Sequence, residues 1–172
     1  MNALNEFKES LNREDLVNWI RSGLIGDDVE IQGPFGPKEI IYADYVASGR
    51  ALSQVEDFIR DKVLPFYSNS HTQASFCGSY ITNIRETARS EIARMTCATS
   101  ESSIIFTGSG TTAGINKLVG LLNIGKMISE SKKVVVLVGP YEHHSNLLPW
   151  RDSGAEIIEI EEDDNGYLCL NS

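Results

Sequence analysis

The sequence is poor in cysteine, in basic residues and in long apolar runs, and each shortage excludes a class of protein. The three cysteines, Cys77, Cys97 and Cys169, lie far apart and form no CxxC pair. We therefore expect neither a disulfide framework nor a zinc site. We expect a reducing, cytoplasmic location instead. No stretch is apolar over a length sufficient to cross a membrane, and the N-terminal residues lack the apolar core of a signal peptide.

The charge balance of the chain is acidic. There are 24 acidic and 15 basic residues, a net charge of −9, and no basic stripe that could neutralise the phosphates of a nucleic acid. We therefore expect no nucleic-acid partner and no membrane partner. With 172 residues, of which 41% are hydrophobic, the chain has the length of one ordinary domain and enough apolar side chains for a core.

The beginning of the chain is expected to form a separate helical arm. A helix should start at the cap Asn12 and end near Gly23, because apolar residues recur between them with helical spacing. The loop Gly33–Pro37, rich in glycine and proline, then marks a boundary. We predict an N-terminal helical arm over residues 1–38 and a main body over residues 39–172.

Two helices are predicted in the first part of the main body. Ile40–Ala43 is expected to be a short strand or an extended entry segment. Ser53 and Glu56 have the spacing of a capping box, so a helix should start there and end before Pro65. The apolar spacing over Ser79–Met95 predicts the second helix.

The second half of the chain alternates strands with helices. Ile104–Phe106 and Val134–Val138 predict strands, and the second is uncharged, as in a parallel strand covered on both faces. Thr111–Leu122 predicts a helix that is apolar on most sides and hence buried. Ala155–Ile160 predicts a third strand, followed by the turn Asp163–Gly166. This alternation predicts an α/β fold with right-handed crossovers.

A loop of glycines and hydroxyls joins the first of these strands to its helix. Gly108 and Gly110 permit backbone conformations that other residues avoid, and Thr111 and Thr112 then open the helix with free amides and two hydroxyls. We call Gly108–Thr112 the cradle, because such a helix start attracts phosphate. A tight turn without a ligand remains the alternative. With Gly114 the spacing also fits a loose dinucleotide fingerprint.

Two histidines follow the next strand, at the end where open α/β sheets bind ligands. His143 could stack on a flat heteroaromatic ring and titrate near neutral pH. A metal site at His143 and His144 is not favoured, because adjacent side chains point apart and no third ligand is evident. Asn146 could cap the short turn, and Pro149-Trp150 is expected to anchor the segment by packing.

These segments resemble, in the same order, the first part of a class V, fold-type-I pyridoxal-phosphate enzyme. The group that they resemble contains cysteine desulfurases and selenocysteine lyases. The resemblance extends from Ile40 to Leu170. The segments that carry it are Tyr42–Ser48, Asn69–Thr72 with Arg85 in the following helix, Gly110–Thr112 with Asn116, and Glu142–Asn146 with Pro149 and Trp150.

The resemblance implies a fold, a cofactor and a set of site residues. The fold is α/β, with the helical arm followed by the first, incomplete part of a mostly parallel-sheet large domain. Pyridoxal 5′-phosphate would be held through its phosphate by Gly110, Thr111 and Thr112, and His143 would act catalytically by stacking on the ring. His71 would lie on the substrate side. The implied partners are an amino-acid substrate and either a second copy, in a homodimer, or a complementary C-terminal chain.

The chain departs from the resemblance in its lysines. The family carries its Schiff-base lysine in a D-x-x-H-K-like segment, preceded by an aspartate for the pyridine nitrogen, and no lysine here stands in that context. We therefore expect the chain to be inactive alone, whether the full activity is that of a desulfurase, an aminotransferase or a lyase. A non-catalytic remnant or interaction module of the same fold and a Rossmann-type nucleotide-binding domain remain alternatives.

Overall fold

A computed structural model of the protein describes residues 2–169, which form two compact units. One unit lies within residues 1–104 and the other within residues 105–172. Both contain helices and strands, so the predicted α/β class is confirmed at this level. The boundary predicted after residue 38 stays a prediction.

The first unit is mainly helical. Its strands β1 and β2 form an antiparallel hairpin with Gly33 opposite Gly36, so the predicted Gly33–Pro37 loop is the turn and flanks of a hairpin. A φ of 96° at Gly36 lets the chain reverse there. The elements are α1 (Ala3–Ser10), α2 (Leu16–Ser22), β1 (Glu30–Gly33), β2 (Gly36–Glu39), α3 (Ser53–Phe58) with a π-helical continuation (Ile59–Val63) and a 3-10 turn (Leu64–Phe66), and α4 (Phe76–Met95).

The start of α2 differs from the prediction. Asn12 does not cap it, because the amide of Asn12 donates to the carbonyl of Glu9 and so completes the end of α1. The N-cap is Asp15, whose carboxylate pairs with Arg13 at 2.6 Å. The predicted end is confirmed, since Gly23 is the C-cap.

The predicted capping box at α3 is wrong. Ser53 is the first helical residue, and the N-cap Leu52 provides no side-chain cap. The amide of Ser53 instead donates to the carbonyl of Gly23 at 2.8 Å, so a distant backbone group satisfies the helix start. The predicted end before Pro65 is confirmed, because α3 ends at Phe58 and its π-helical continuation ends at Val63. Pro65 lies near the start of the 3-10 turn that follows, where no amide hydrogen is needed.

The second unit contains a β-α-β arrangement. Strands β3 and β4 are parallel, with Val135 opposite Glu156 and Val138 opposite Glu159, and the predicted turn at Asp163–Gly166 is confirmed by the bond from the Gly166 amide to the Asp163 carbonyl. The elements are α5 (Gly110–Leu122), α6 (Ile124–Ser129), β3 (Val135–Val138), α7 (His144–Asp152) and β4 (Glu156–Glu159).

One predicted strand does not form. Ile104–Phe106 has no regular structure and pairs with no other strand among the described residues. Ile40–Ala43, expected as a short strand or an extended entry segment, is not part of a strand. The carbonyl of Ile104 accepts instead from the Arg89 guanidinium on α4. An apolar segment becomes a strand only when a neighbouring strand satisfies its backbone.

The predicted burial of the second unit is also wrong. On β3 only Val138 is buried, whereas Leu137 is 63% exposed, so one face of the strand is uncovered. Leu121 on α5 is 59% exposed. Over residues 2–169 the buried hydrophobic side chains of the core are Ile124 and Val138, and Pro149 is buried on α7. Among these residues no helix has both the length and the apolar character needed to cross a membrane.

Candidate functional site

The backbone of the cradle has the geometry that its glycines allow. Gly108 has a φ of 106° and Gly110 a φ of 70°, both in the left-handed region that side chains disfavour. Helix α5 begins at Gly110, and its N-cap Ser109 makes no side-chain cap hydrogen bond. The amides of the first helical turn therefore keep free donors at the positive end of the helix dipole.

The hydroxyl groups of the cradle are accessible. Thr111 and Thr112 are exposed, and within residues 2–169 neither hydroxyl takes part in a recorded hydrogen bond. Asn116 folds back one turn and donates from Nδ2 to the carbonyl of Thr112 at 2.8 Å. A Cβ added at Gly110 or Gly114 would meet no atom within 4 Å. An anion can therefore approach both the amides and the hydroxyls.

His143 occupies the N-cap of α7. Its ring Nδ1 accepts the backbone N–H of Ser145 at 3.1 Å and lies 2.9 Å from the Ser145 hydroxyl oxygen. Because that N–H can only donate, the neutral ring carries its proton on Nε2. The ring is exposed and meets the ring of His144 edge-on, with centroids 6.4 Å apart. The cap thus holds the ring of His143 in one orientation. The only sign of this contact in the sequence is that Ser145 carries a hydroxyl two residues after His143.

A chain of side-chain hydrogen bonds fixes the first turns of α7. Asn146 donates from Nδ2 to Glu142 at 2.7 Å and accepts from the Trp150 indole at 3.2 Å. The sequence allowed Asn146 to act as a cap of this turn. In the structure it instead connects Glu142 to Trp150. Pro149 is buried, which confirms the expected packing anchor. Just before this segment, a hydrogen bond to Glu162 raises the pKa of Tyr141 to about 12.

His71 belongs to the first unit, whereas the cradle and His143 belong to the second. Within the second unit the cradle helix α5 packs against α7, which starts beside His143. His71 has a φ of 71°, and its backbone N–H donates to the Thr82 hydroxyl at 3.1 Å. Its ring lies beside Arg85 of α4, a contact that the sequence did not predict. The role of Thr82 has no signal in the sequence.

The donor set of the cradle fits a phosphate ester. Two hydroxyls and a turn of free amides at a helix start are the groups that phosphate-binding sites use. The second unit also supplies an imidazole held in place at His143. A metal centre is not supported within residues 2–169, where no three His, Cys, Asp or Glu side chains could hold an ion together.

Comparison with known proteins gives consistent matches. The family model described as aminotransferase class-V matches residues 41–172. A protein of Halalkalibacterium halodurans named "Probable cysteine desulfurase" is 33% identical over 127 residues, which are 72% of this chain and 29% of the relative. Proteins of the same name from Pyrococcus abyssi and Pseudomonas aeruginosa are 30% and 31% identical, over 85% and 79% of this chain and 36% and 34% of theirs.

The extent of these matches decides what they establish. The chain spans about a third of the length of the curated relatives that it matches, between 29% and 36% for these three. The family model nevertheless covers most of the chain, including the cradle and the segment around His143. This chain therefore belongs to the aminotransferase class-V family.

Proposed function

We propose that this chain is the part of a pyridoxal-phosphate enzyme that binds the phosphate and the ring of the cofactor. The observation that carries the proposal is the cradle, in which two left-handed glycines flank Ser109 at an uncapped helix start with two exposed hydroxyls. Thr111 and Thr112 would bind the phosphate, and His143 would stack on the pyridine ring. When bound, the cofactor supplies an electron sink for charge at the α-carbon of an amino acid.

The residues of the chain would bind and orient the cofactor and the substrate, and we assign each residue a separate role. The amides of the first turn of α5 and the hydroxyls of Thr111 and Thr112 would neutralise the phosphate charge at the helix dipole. Because Nδ1 of His143 accepts the N–H of Ser145, the Nε2–H of the ring would point away from Ser145. His71 would act on the substrate side, where its ring could exchange hydrogen bonds with an amino acid.

The proposed reaction class is that of the named relatives. Because these are "Probable cysteine desulfurase" proteins, we propose desulfurase-type chemistry on an amino acid, ahead of aminotransferase or other lyase chemistry. None of the seven lysines of the chain stands in a D-x-x-H-K-like segment. We therefore propose that the Schiff-base lysine comes from outside these 172 residues, and that the chain works in a homodimer or with a complementary C-terminal chain.

Binding of pyridoxine 5′-phosphate tests the proposal without a lysine, because this compound has no aldehyde. Calorimetric titration of the chain should show saturable binding that is lost with pyridoxine, which lacks the phosphate. The double variant Thr111→Val and Thr112→Val should bind more than tenfold more weakly, since each hydrogen bond to a charged group contributes about 1.5–3 kcal/mol.

A matched control for this titration is Thr96→Val, in the first unit, where the hydroxyl donates to the carbonyl of Ile92 at 2.8 Å. This variant should bind as the wild type does. Equal binding of pyridoxine and its phosphate would contradict the phosphate site. A stoichiometric borohydride-reducible adduct of pyridoxal phosphate at one lysine would contradict the proposed outside origin of the lysine.

A non-catalytic interaction module of the same fold is the second candidate function. The observation that favours it is the sparse core, since Ile124 and Val138 are the buried hydrophobic side chains of the core in the described chain. A chain that binds a partner polypeptide stoichiometrically but not pyridoxine 5′-phosphate would support this candidate. Saturable binding of NAD without binding of pyridoxal phosphate would instead support a Rossmann-type nucleotide-binding domain.

A further inference from the structure

A cavity of about 340 Å³ lies between α1, α2 and α3 of the first unit. Three half-buried aromatic side chains line it, Phe7 on α1, Trp19 on α2 and Phe58 on α3. The rings of Phe7 and Phe58 are in contact, with centroids 4.9 Å apart. The Gln54 amide donates to the Trp19 carbonyl at 2.5 Å and so connects α3 to α2. The walls of the cavity are therefore aromatic and come from connected helices.

Acidic side chains line the same cavity. Glu6, Asp57 and Asp61 are exposed, and Lys62 is the cationic residue of the lining. Arg60 pairs with Asp57 at 2.8 Å and with Asp61 at 2.7 Å. Within residues 2–169 the Glu6 carboxylate has no ion-pair partner. Three carboxylates thus face two cations, and Glu6 is available to a further positive group. We call this feature the aromatic–acidic cavity.

The backbone beside the aromatic–acidic cavity is irregular. Residues Ile59–Val63, which include Asp61 and Lys62, continue α3 as a π-helix. Such wide turns are rare in proteins and are frequent at functional sites. The turn is therefore an observation, independent of the side-chain chemistry, that favours a binding role for this wall of the cavity.

Aromatic faces next to a carboxylate are suited to one kind of ligand, a guanidinium. This group is planar and weakly hydrated, stacks on aromatic rings and presents five donors to carboxylate oxygens. The chain makes such a contact itself, because the Arg13 guanidinium carbon lies 4.9 Å from the centroid of the Trp19 ring and Arg13 also pairs with Asp15 at 2.6 Å. Arg13 does not line the cavity, so the cavity offers the same combination of groups a second time.

We propose that the aromatic–acidic cavity binds an arginine side chain of a partner polypeptide, with its guanidinium against the aromatic walls and paired with Glu6. A peptide-bonded arginine matches the charge of the cavity, whereas the α-carboxylate of free arginine would be repelled by the three lining carboxylates. The residues of this site all belong to the first unit. The proposal goes beyond the proposed function and does not rest on cofactor binding.

Titration with the blocked peptide acetyl-Gly-Arg-Gly-amide tests the proposal on the full chain. The readout is the indole N–H signal of Trp19 in proton–nitrogen NMR, and Trp150→Phe assigns the two tryptophans of the chain. The peptide should shift the Trp19 signal saturably and leave that of Trp150 in place. The same peptide with citrulline, a neutral analogue of arginine, should bind about tenfold more weakly, because the cation–π contact and the ion pair both need the charge.

Three variants of surface charges separate a specific site from the general acidity of the chain. Glu6→Gln should weaken binding of the arginine peptide about two- to fivefold, and Lys62→Met should strengthen it to a similar degree, because one removes an ion pair and the other a like charge. Glu9→Gln, which changes an exposed glutamate of α1 outside the cavity, should leave the affinity unchanged. Circular dichroism checks that each variant is folded as the wild type is.

The outcomes that would overturn the proposal are distinct. Equal affinity for the arginine and citrulline peptides, or no saturable shift of Trp19, would exclude the guanidinium site. Equal losses in Glu6→Gln and Glu9→Gln would assign the binding to overall charge. Tighter binding of free L-arginine than of the peptide would assign the cavity to a small molecule and overturn the polypeptide partner. Failure of pyridoxine 5′-phosphate to bind would overturn the proposed function alone.

Discussion

At the scale of single residues, backbone conformation separates the glycines that the chain needs from those that it tolerates. Gly110 starts α5 with a φ of 70°, whereas Gly120 lies inside the same helix without a positive φ. At both positions an added Cβ would meet no atom within 4 Å. Any difference between alanine substitutions at the two positions therefore reports the backbone and not packing.

We expect Gly110→Ala to destabilise the chain by about 1–2 kcal/mol, the cost of a left-handed conformation for a residue with a side chain. The same substitution should weaken the binding of pyridoxine 5′-phosphate, because the helix start would have to rearrange. Urea unfolding followed by circular dichroism gives the free energy. Gly120→Ala is the control and should be neutral or stabilising, since alanine favours a helix interior by up to about 1 kcal/mol. Equal effects of the two substitutions would exclude the left-handed cradle.

Gly23 is required for a different reason. An alanine Cβ there would lie 1.7 Å from Oε1 of Gln54, whose amide nitrogen donates to the carbonyl of Trp19. Gly23→Ala should cost about 0.5–1.5 kcal/mol in urea unfolding, because the Gln54 amide would have to move aside and lose its hydrogen bond to the Trp19 carbonyl. Gly49→Ala, where a Cβ would meet no atom within 4 Å, should cost much less. A double-mutant cycle with Gln54→Ala should recover part of the loss; strict additivity would show that the clash is not the cause.

At the scale of elements, α1 is held on α4 by polar contacts. Asn2 donates to the Thr87 hydroxyl at 2.7 Å, and Lys8 pairs with Glu91 at 2.7 Å. Lys8 and then Arg94 lower the pKa of Glu91 below its usual value. A lowered pKa in the folded state means that the pair stabilises the docked helix above the usual glutamate pKa. This contribution is lost as the pH falls through the folded pKa.

Acidification should therefore loosen α1 before the rest of the first unit. The amide NMR signals of residues 3–10 should shift between pH 6 and pH 3 with a midpoint below the usual glutamate pKa. Glu91→Gln should remove that titration and give the loosened signals at both pH values. The control is Glu86→Gln, because the Glu86 carboxylate pairs with Arg89 on the same helix. This substitution should leave the titration of the α1 signals unchanged. A wild-type titration that persists in Glu91→Gln would assign it to another group.

The elements also show what the sequence can and cannot predict. The helix over Ser79–Met95, the strand near Val134–Val138 and the turn at Asp163–Gly166 follow from local spacing and turn chemistry, and the structure contains them with small shifts at their ends. The start of α3 could not be predicted, because its amide bonds to a carbonyl 30 residues away, at Gly23. The cradle was predictable because glycine conformation and helix dipoles are local, whereas the contacts that hold His71 depend on how the chain folds back on α4.

At the scale of the whole molecule, the described chain leaves many large apolar side chains exposed. Leu121 and Ile124 are three positions apart, yet Leu121 is 59% exposed and Ile124 only 4%. The apolar pattern of Thr111–Leu122 predicts a buried helix, but it does not indicate which side chains in and after this helix have a neighbour. Burial depends on the surrounding structure. Within the described residues, most side chains of α5 have no neighbouring element that covers them.

The contrast between these two residues is measurable. Leu121→Glu should change the free energy of unfolding by less than about 0.5 kcal/mol, as at most surface positions. Ile124→Ala should cost about 2–5 kcal/mol, because it leaves a cavity. Both values come from urea unfolding of the chain. A large loss for Leu121→Glu would show that the α5 surface is already covered in solution, for example by a second copy of the chain.

The parallel pair of β3 and β4 has a consequence for handling the protein. Each strand has one hydrogen-bonded neighbour in the part of the chain that the structure describes, so each has an outer row of backbone donors and acceptors. The uncharged segment Val135–Val138 on such an edge can template further strands and nucleate aggregation. Lys132 and Lys133, directly before it, act as charged gatekeepers against this stacking. The binding experiments should therefore be made on dilute samples.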